Sequence, residues 1–250
     1  MNTPWFNIML RNYMHKNIYT CIKAIRRYND VHYSFSSVFH YPQEVGSFES
    51  LSFLFTSSQA NYGLCLLAFD EAAYLYQVVR TIGNGHFAEI GRFKGGSTFL
   101  IAAAMDNDSI LDSFDIHLIT SLYNGYLEKI NVDGNILDNE LRNALARYGL
   151  ESKVNLFVEN STTVKLPDES YDFVFIDGDH SYDGAKKDFL HWKNTIKKKG
   201  HVLFHDAAKT TFSSYSEGLI RLIDEIKKHY ANQFELVNEV GSLVHFRKMR

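Results

Sequence analysis

Two short runs of titratable residues stand at the ends of apolar stretches, and their types suit metal or acid–base chemistry. In the first, Phe173–Ile176 leads into Asp177-Gly178-Asp179-His180. In the second, His201–Phe204 leads into His205-Asp206. Carboxylates are hard oxygen ligands for a cation such as Mg²⁺, and histidine is the commonest general base. Placing several such groups at the end of a buried strand is costly unless they are used. If the two apolar runs are neighbouring strands about 4.8 Å apart, Asp177 and Asp206 can both reach one divalent ion at about 2.1 Å. Their spacing fits one strand–helix–strand crossover, with Ala185, Phe189, Trp192 and Ile196 on the inner face of the helix. The plainer alternative makes Asp179 a helix cap and His180 a satisfied loop histidine.

A third stretch lies upstream. Phe87–Thr98 reads FAEIGRFKGGST: a short buried strand, a sharp turn through Gly91, and a helix entered over Gly95-Gly96-Ser97-Thr98. Strand, glycine turn and helix N-terminus together begin many nucleotide-binding α/β units. The spacing is not that of dinucleotide binding, because Phe93 stands where a G-x-G-x-x-G run needs its second glycine. Glu89, two residues before Gly91, would repel a pyrophosphate and suits a ligand with a cationic group instead. Asp115 falls near the end of a second strand, expected over Ile110–Leu118, where βαβ folds place the acid that binds ribose hydroxyls. Otherwise it is a solvated turn acid. Asn160 and Ser161 follow a third strand, Val154–Val158, and by periodicity alone are loop.

The segment E-I-G-x-x-x-G-G-S-T resembles motif I of class I S-adenosylmethionine-dependent methyltransferases. With D-G-D-H-S-Y-D and H-D downstream, the chain is similar to one branch of them. That branch holds metal-dependent O-methyltransferases acting on sugar hydroxyls of natural products, such as the macrolide deoxysugar enzymes, and cephalosporin-hydroxylase-like proteins. The likeness runs from about Glu71 to the last strand, Gly241–Arg247. It implies that Glu89, Gly91, Gly95 and Ser97 cradle the methionine portion of S-adenosylmethionine, and that Asn160 and Ser161 lie beside the adenine. Asp177 serves both cofactor and metal, and Asp206 is the second ligand of a Mg²⁺ or similar cation. His205 stands where those enzymes place a carboxylate ligand, a departure from the pattern, and His180 matches the general base. The implied activity is methyl transfer to a hydroxyl of a small molecule, a sugar or glycosylated natural product. The rivals are a cofactor-binding protein without methyl transfer and a nucleotide-dependent oxidoreductase.

Such a site needs a frame, and the remaining sequence supplies one. The expected architecture is α/β: a doubly wound, Rossmann-like, mostly parallel seven-stranded sheet with an antiparallel last strand. Asp70 is expected to cap a helix reaching Ile82, Ser97–Met105 and Asn139–Tyr148 to be helical, and Lys197–Gly200 to be a turn. Phe234–Val240 and Leu243–Arg247 are expected as the last strands, covered by a helix over Leu219–Tyr230. Residues 1–60 form a helical or irregular appendage, a lid, wrap or subunit contact through which a homo-oligomer could form, and 61–250 the cofactor-binding domain. Ile119–Asn135 reads as irregular. With 250 residues, 45% hydrophobic and a formal charge of −3, the chain has no general drive toward nucleic acid or anionic membranes. No stretch is apolar enough to span a membrane. Cys21 and Cys65 form no disulfide or zinc pattern, so the reducing cytoplasm is the expected location.

Overall fold

The structure, a computed structural model, describes residues 34–38, 41–55, 63–117, 133–210 and 216–250. Seven strands form one sheet: β1 (His86–Ile90), β2 (Ile110–Asp115), β3 (Val154–Val158), β4 (Tyr171–Ile176), β5 (Ile196–Phe204), β6 (Phe234–Val240) and β7 (Leu243–Lys248). Their order is β3-β2-β1-β4-β5-β7-β6. The first five pair in parallel, and β7 runs antiparallel to both β5 and β6. The expected sheet is therefore the observed one, with the reversed last strand slotted between β5 and β6.

Helices α1 (Phe69–Ile82), α2 (Gly96–Ala104) and α3 (Gly134–Arg147) cover one face, and α4 (Tyr182–Trp192) and α5 (Glu217–His229) the other. Strand β4 shows why its sequence is an unbroken apolar run. Phe173 and Phe175 enter the core beneath α1 and α2, while Val174 and Ile176 enter the core beneath α4 and α5. Successive side chains point to opposite faces, so a strand covered on both sides must be apolar throughout. Each fully buried phenylalanine or isoleucine there contributes about 1.5–3 kcal/mol.

Some boundaries differ from the expectation. The cap of α1 is Ala68, not Asp70, because the Glu71 side chain reaches back to accept the Ala68 N–H at 2.7 Å. Helix α3 begins at Gly134 rather than Asn139, since Asp133 caps it by accepting from the Asn135 N–H. Strand β2 ends at Asp115, short of Leu118. Lys197–Gly200 is not a turn but lies inside β5, which carries an irregularity there with Lys199 at φ 67°. Among the residues before β1, Phe35 packs against Phe99 at 5.5 Å and Leu54 accepts the Cys65 N–H at 2.9 Å. Residues 1–33, 39–40, 56–62, 118–132 and 211–215 lie outside the described residues, and with them most of the expected appendage and the 119–132 segment. Among the described residues no helix is long and apolar enough to cross a membrane.

Candidate cofactor turn and carboxylate–imidazole cluster

Sheet register sets the carboxyl ends of four strands in a row. Ile90 pairs with Ile176 and Ile176 with Phe204. Three backbone bonds carry the ladder one step further: Gly91 N–H to Phe114 O at 2.8 Å, Asp177 N–H to Ile90 O at 2.8 Å and His205 N–H to Ile176 O at 3.1 Å. Asp115 at the end of β2, and Gly91, Asp177 and His205 just after β1, β4 and β5, thus line one edge. The chain order reverses between β1 and β4, and open α/β sheets bind ligands at such a point.

On the β1–β2 side every polar group is matched. Glu89 has no exposed surface and accepts three hydroxyl hydrogen bonds, from Ser97 (2.6 Å), Thr98 (2.5 Å) and Ser113 (2.6 Å). Burial pushes its carboxyl up to about 6, against those three bonds. Asp115 accepts the backbone N–H groups of Arg92 and Phe93 on one oxygen, each at 2.9 Å, and that of His117 on the other at 2.6 Å. A carboxylate offers about four acceptor positions, so Asp115 keeps roughly one more. Arg92 is buried and forks onto Asp138, Nε to Oδ1 at 2.7 Å and Nη2 to Oδ2 at 2.6 Å.

The glycines of this turn admit protein rather than open space. A methyl group added at Gly91, where φ is 86°, would lie 2.2 Å from the Asp177 carbonyl oxygen. One at Gly95 would meet Leu141 at 2.4 Å, and one at Gly96 the Cys65 nitrogen at 2.3 Å. The turn is small because β4, α3 and the 64–65 backbone are pressed against it.

The β4–β5 side is built of charges. Asp177 Oδ1 faces His205 Nδ1 at 3.0 Å and His180 Nε2 at 3.3 Å. His180 Nδ1 faces Asp206 Oδ2 at 3.4 Å, and His205 Nε2 faces Glu71 Oε2 at 3.3 Å. Carboxylates and imidazoles therefore alternate: Glu71, His205, Asp177, His180, Asp206. Burial alone would raise Asp177, but the two imidazoles hold it far below the usual carboxylate range. Burial would lower both histidines. Asp177, with Asp206 behind it, instead raises His180, and Asp177 with Glu71 raises His205 well above 6.5. Ser216 fixes the loop by donating its hydroxyl to the His180 carbonyl at 2.5 Å.

The expected site residues divide accordingly. Glu89, Gly91, Gly95, Ser97 and Asp115 gather at the turn, and Asp177, His180, His205 and Asp206 at the cluster. Asn160 and Ser161 are drawn elsewhere: Asn160 accepts from Thr162 at 2.9 Å, and Ser161 donates to the buried Asp188 at 2.6 Å. Burial raises the Asp188 carboxyl to about 6. Both His205 nitrogens face carboxylates, Asp177 at 3.0 Å and Glu71 at 3.3 Å. Asp177 and Asp206 remain the oxygen donors suited to a hard cation. Among the described residues no group of three or more His, Cys, Asp or Glu is set out as a metal centre.

Sequence reasoning passed over four partners. Glu71 reads as an ordinary first-turn acid, Arg92 and Asp138 as surface charges, and nothing local announces their partners. Asp188 did leave a signal, since it falls within the apolar Ala185–Phe189–Trp192 stripe.

Residues 88–207 match the family described as "Methyltransferase domain". An uncharacterized protein of Acanthamoeba polyphaga mimivirus is 30% identical over 166 residues, which span 63% of this chain and 71% of that one. A methyltransferase from Geobacter sulfurreducens shares the fold with a TM-score of 0.52 at 16% identity, over 74% of this chain and 80% of that one. The O-methyltransferase of tomaymycin synthesis from Streptomyces achromogenes, solved with S-adenosylmethionine, aligns with a TM-score of 0.51 at 14% identity, over 75% and 83% of the two chains. Residues 88–207 thus match a methyltransferase domain, and the chain has the fold of S-adenosylmethionine-dependent methyltransferases.

Proposed function

We propose that the protein methylates a hydroxyl group of a small molecule, a sugar or glycosylated natural product, with His180 as the general base. The observation that carries this reading is the position of the His180 imidazole, held between Asp177 and Asp206 at the strand ends next to the Gly91 turn. The turn suits the cofactor's chemistry. Asp115 keeps an acceptor position, and among the described residues carboxylates line the edge, which favours a sulfonium and an ammonium over a pyrophosphate. S-adenosylmethionine, when bound, supplies an electrophilic methyl group. The protein's part is to hold the hydroxyl oxygen in line with it, where positioning supplies much of the acceleration. His180 takes the hydroxyl proton, and the Asp177 and Asp206 carboxylates on its two sides stabilise the imidazolium so formed.

A second reading adds a divalent cation held by Asp177 and Asp206. The position of these two carboxylates at adjacent strand ends favours it, and a cation there would supply Lewis-acid activation of the hydroxyl. His180 and the cation would compete for the same oxygens. One experiment addresses both readings: calorimetric titration of S-adenosylmethionine with and without Mg²⁺, beside Glu89→Ala and Asp177→Asn. Micromolar binding by the wild type and its loss in Glu89→Ala is the expected result. Folded, cofactor-free protein that fails to bind under either condition would sink the proposal. Binding and turnover unchanged by a chelator would remove the cation alone.

A further inference from the structure

Arg92 lies inside the glycine turn, yet its side chain has no exposed surface. A guanidinium carries five N–H donors in a fixed fork. Here four acceptors surround it, both Asp138 oxygens at 2.7 and 2.6 Å, Ser113 O at 3.1 Å and Phe157 O at 2.9 Å, and His117 Nε2 lies 3.2 Å from Nη2 and 3.1 Å from Asp138 Oδ2. Those partners belong to α3, to β2, to β3 and to the segment just after β2. One side chain therefore ties the turn after β1 to three other elements.

The backbone of the same residue completes the tie. Arg92 N–H and Phe93 N–H both bind Asp115 Oδ2, and Phe93 takes φ 47°, a left-handed conformation that a bulky residue holds only when its surroundings impose it. Turn and ribose acid are thus fixed relative to each other by bonds on both sides of Arg92. We infer that Arg92, acting through Asp138, is a positioning residue for the cofactor: it holds the Gly91–Gly95 turn and the Asp115 carboxylate in their binding geometry without touching the ligand. The inference rests on the proposed cofactor site. Lysine cannot replace the fork, because three donors on one nitrogen leave the backbone carbonyls of Ser113 and Phe157 or an Asp138 oxygen unmatched.

The test is titration calorimetry of S-adenosylmethionine into wild type, Arg92→Lys and the near-isosteric Asp138→Asn, well below each protein's melting temperature. Lost charge-assisted bonds at a positioning residue should weaken cofactor binding about tenfold or more in both variants while stoichiometry stays near one site per chain. A residue that serves stability alone would give the opposite pattern, fewer competent sites with unchanged affinity, and that result overturns the inference. So does wild-type affinity with full stoichiometry in Arg92→Lys. If neither variant yields folded protein, the pair is a stability element and the inference falls. A wild type that does not bind S-adenosylmethionine overturns the cofactor site itself, a result visible before either variant is measured.

Discussion

The two halves of the strand-end row both gather carboxylates and behave differently. On the β1–β2 side, Glu89, Asp115 and Arg92 are each held by several short hydrogen bonds, and Asp115 keeps one acceptor position. On the β4–β5 side, Asp177 is shared between two imidazoles and His180 between two carboxylates, at 3.0–3.4 Å. Matched networks rigidify. Shared, longer contacts leave a proton several addresses. The first half is built to hold a shape and the second to accept charge. Each substitution below should damage one function and spare the other.

The largest effect is expected at Gly91. Alanine there combines φ 86° with a methyl group 2.2 Å from the Asp177 carbonyl. Backbone strain and overlap together should cost at least about 4 kcal/mol and abolish cofactor binding, as read by chemical denaturation and calorimetry. A variant near wild-type stability would show that the turn yields, and the claimed rigidity would be lost.

His180→Ala should act on the other half. Loss of a positioned base lowers kcat about 10²–10⁴-fold, while S-adenosylmethionine affinity stays near that of the wild type. Parallel loss of turnover and affinity would merge the two halves into one binding site.

Glu71→Ala removes the acceptor for the Ala68 N–H, for the Ser242 N–H and hydroxyl, and for His205. Deleting one member of a buried ionic set costs about 3–5 kcal/mol. Equilibrium unfolding should show it, and a change below about 1 kcal/mol would mean that water replaces the carboxylate.

What the sequence made legible follows the same division. The unbroken Phe173–Ile176 run could only be a strand covered on both faces, and acids at the ends of such runs pointed to one sheet edge. Those signals are local: alternation, glycine spacing, a polar residue after an apolar run. Glu71 and Arg92 were illegible because their partners, His205 and Asp138, lie far along the chain and meet them only through sheet order. Helix α3 was started late for a related reason. Gly134 and Asn135 disfavour helix, and only the Asp133 cap shows that it begins there. Asp70 is the better cap by residue type, whereas the reach of Glu71 decides the position.

Asp188 tests the boundary between the halves with the smallest effect. It is buried on α4, receives the Ser161 hydroxyl, and its second oxygen would lie 3.5 Å from a methyl group added at Gly178. Burial raises its carboxyl from 3.8 to about 6. The unfolded chain then releases this proton at lower pH than the folded one, so its contribution makes stability fall as pH rises from about 4 to about 6. Asparagine keeps an acceptor for Ser161 and removes the ionisation. Subtracting the wild-type stability from that of Asp188→Asn should give a difference that climbs between pH 4 and 7. At 1.36 kcal/mol per pKa unit it gains up to about 3 kcal/mol, and cofactor affinity should be little changed. Parallel stability curves would mean that Asp188 is not carried neutral into the fold. A climb joined to a loss of affinity would instead make Asp188 part of the ligand-holding half.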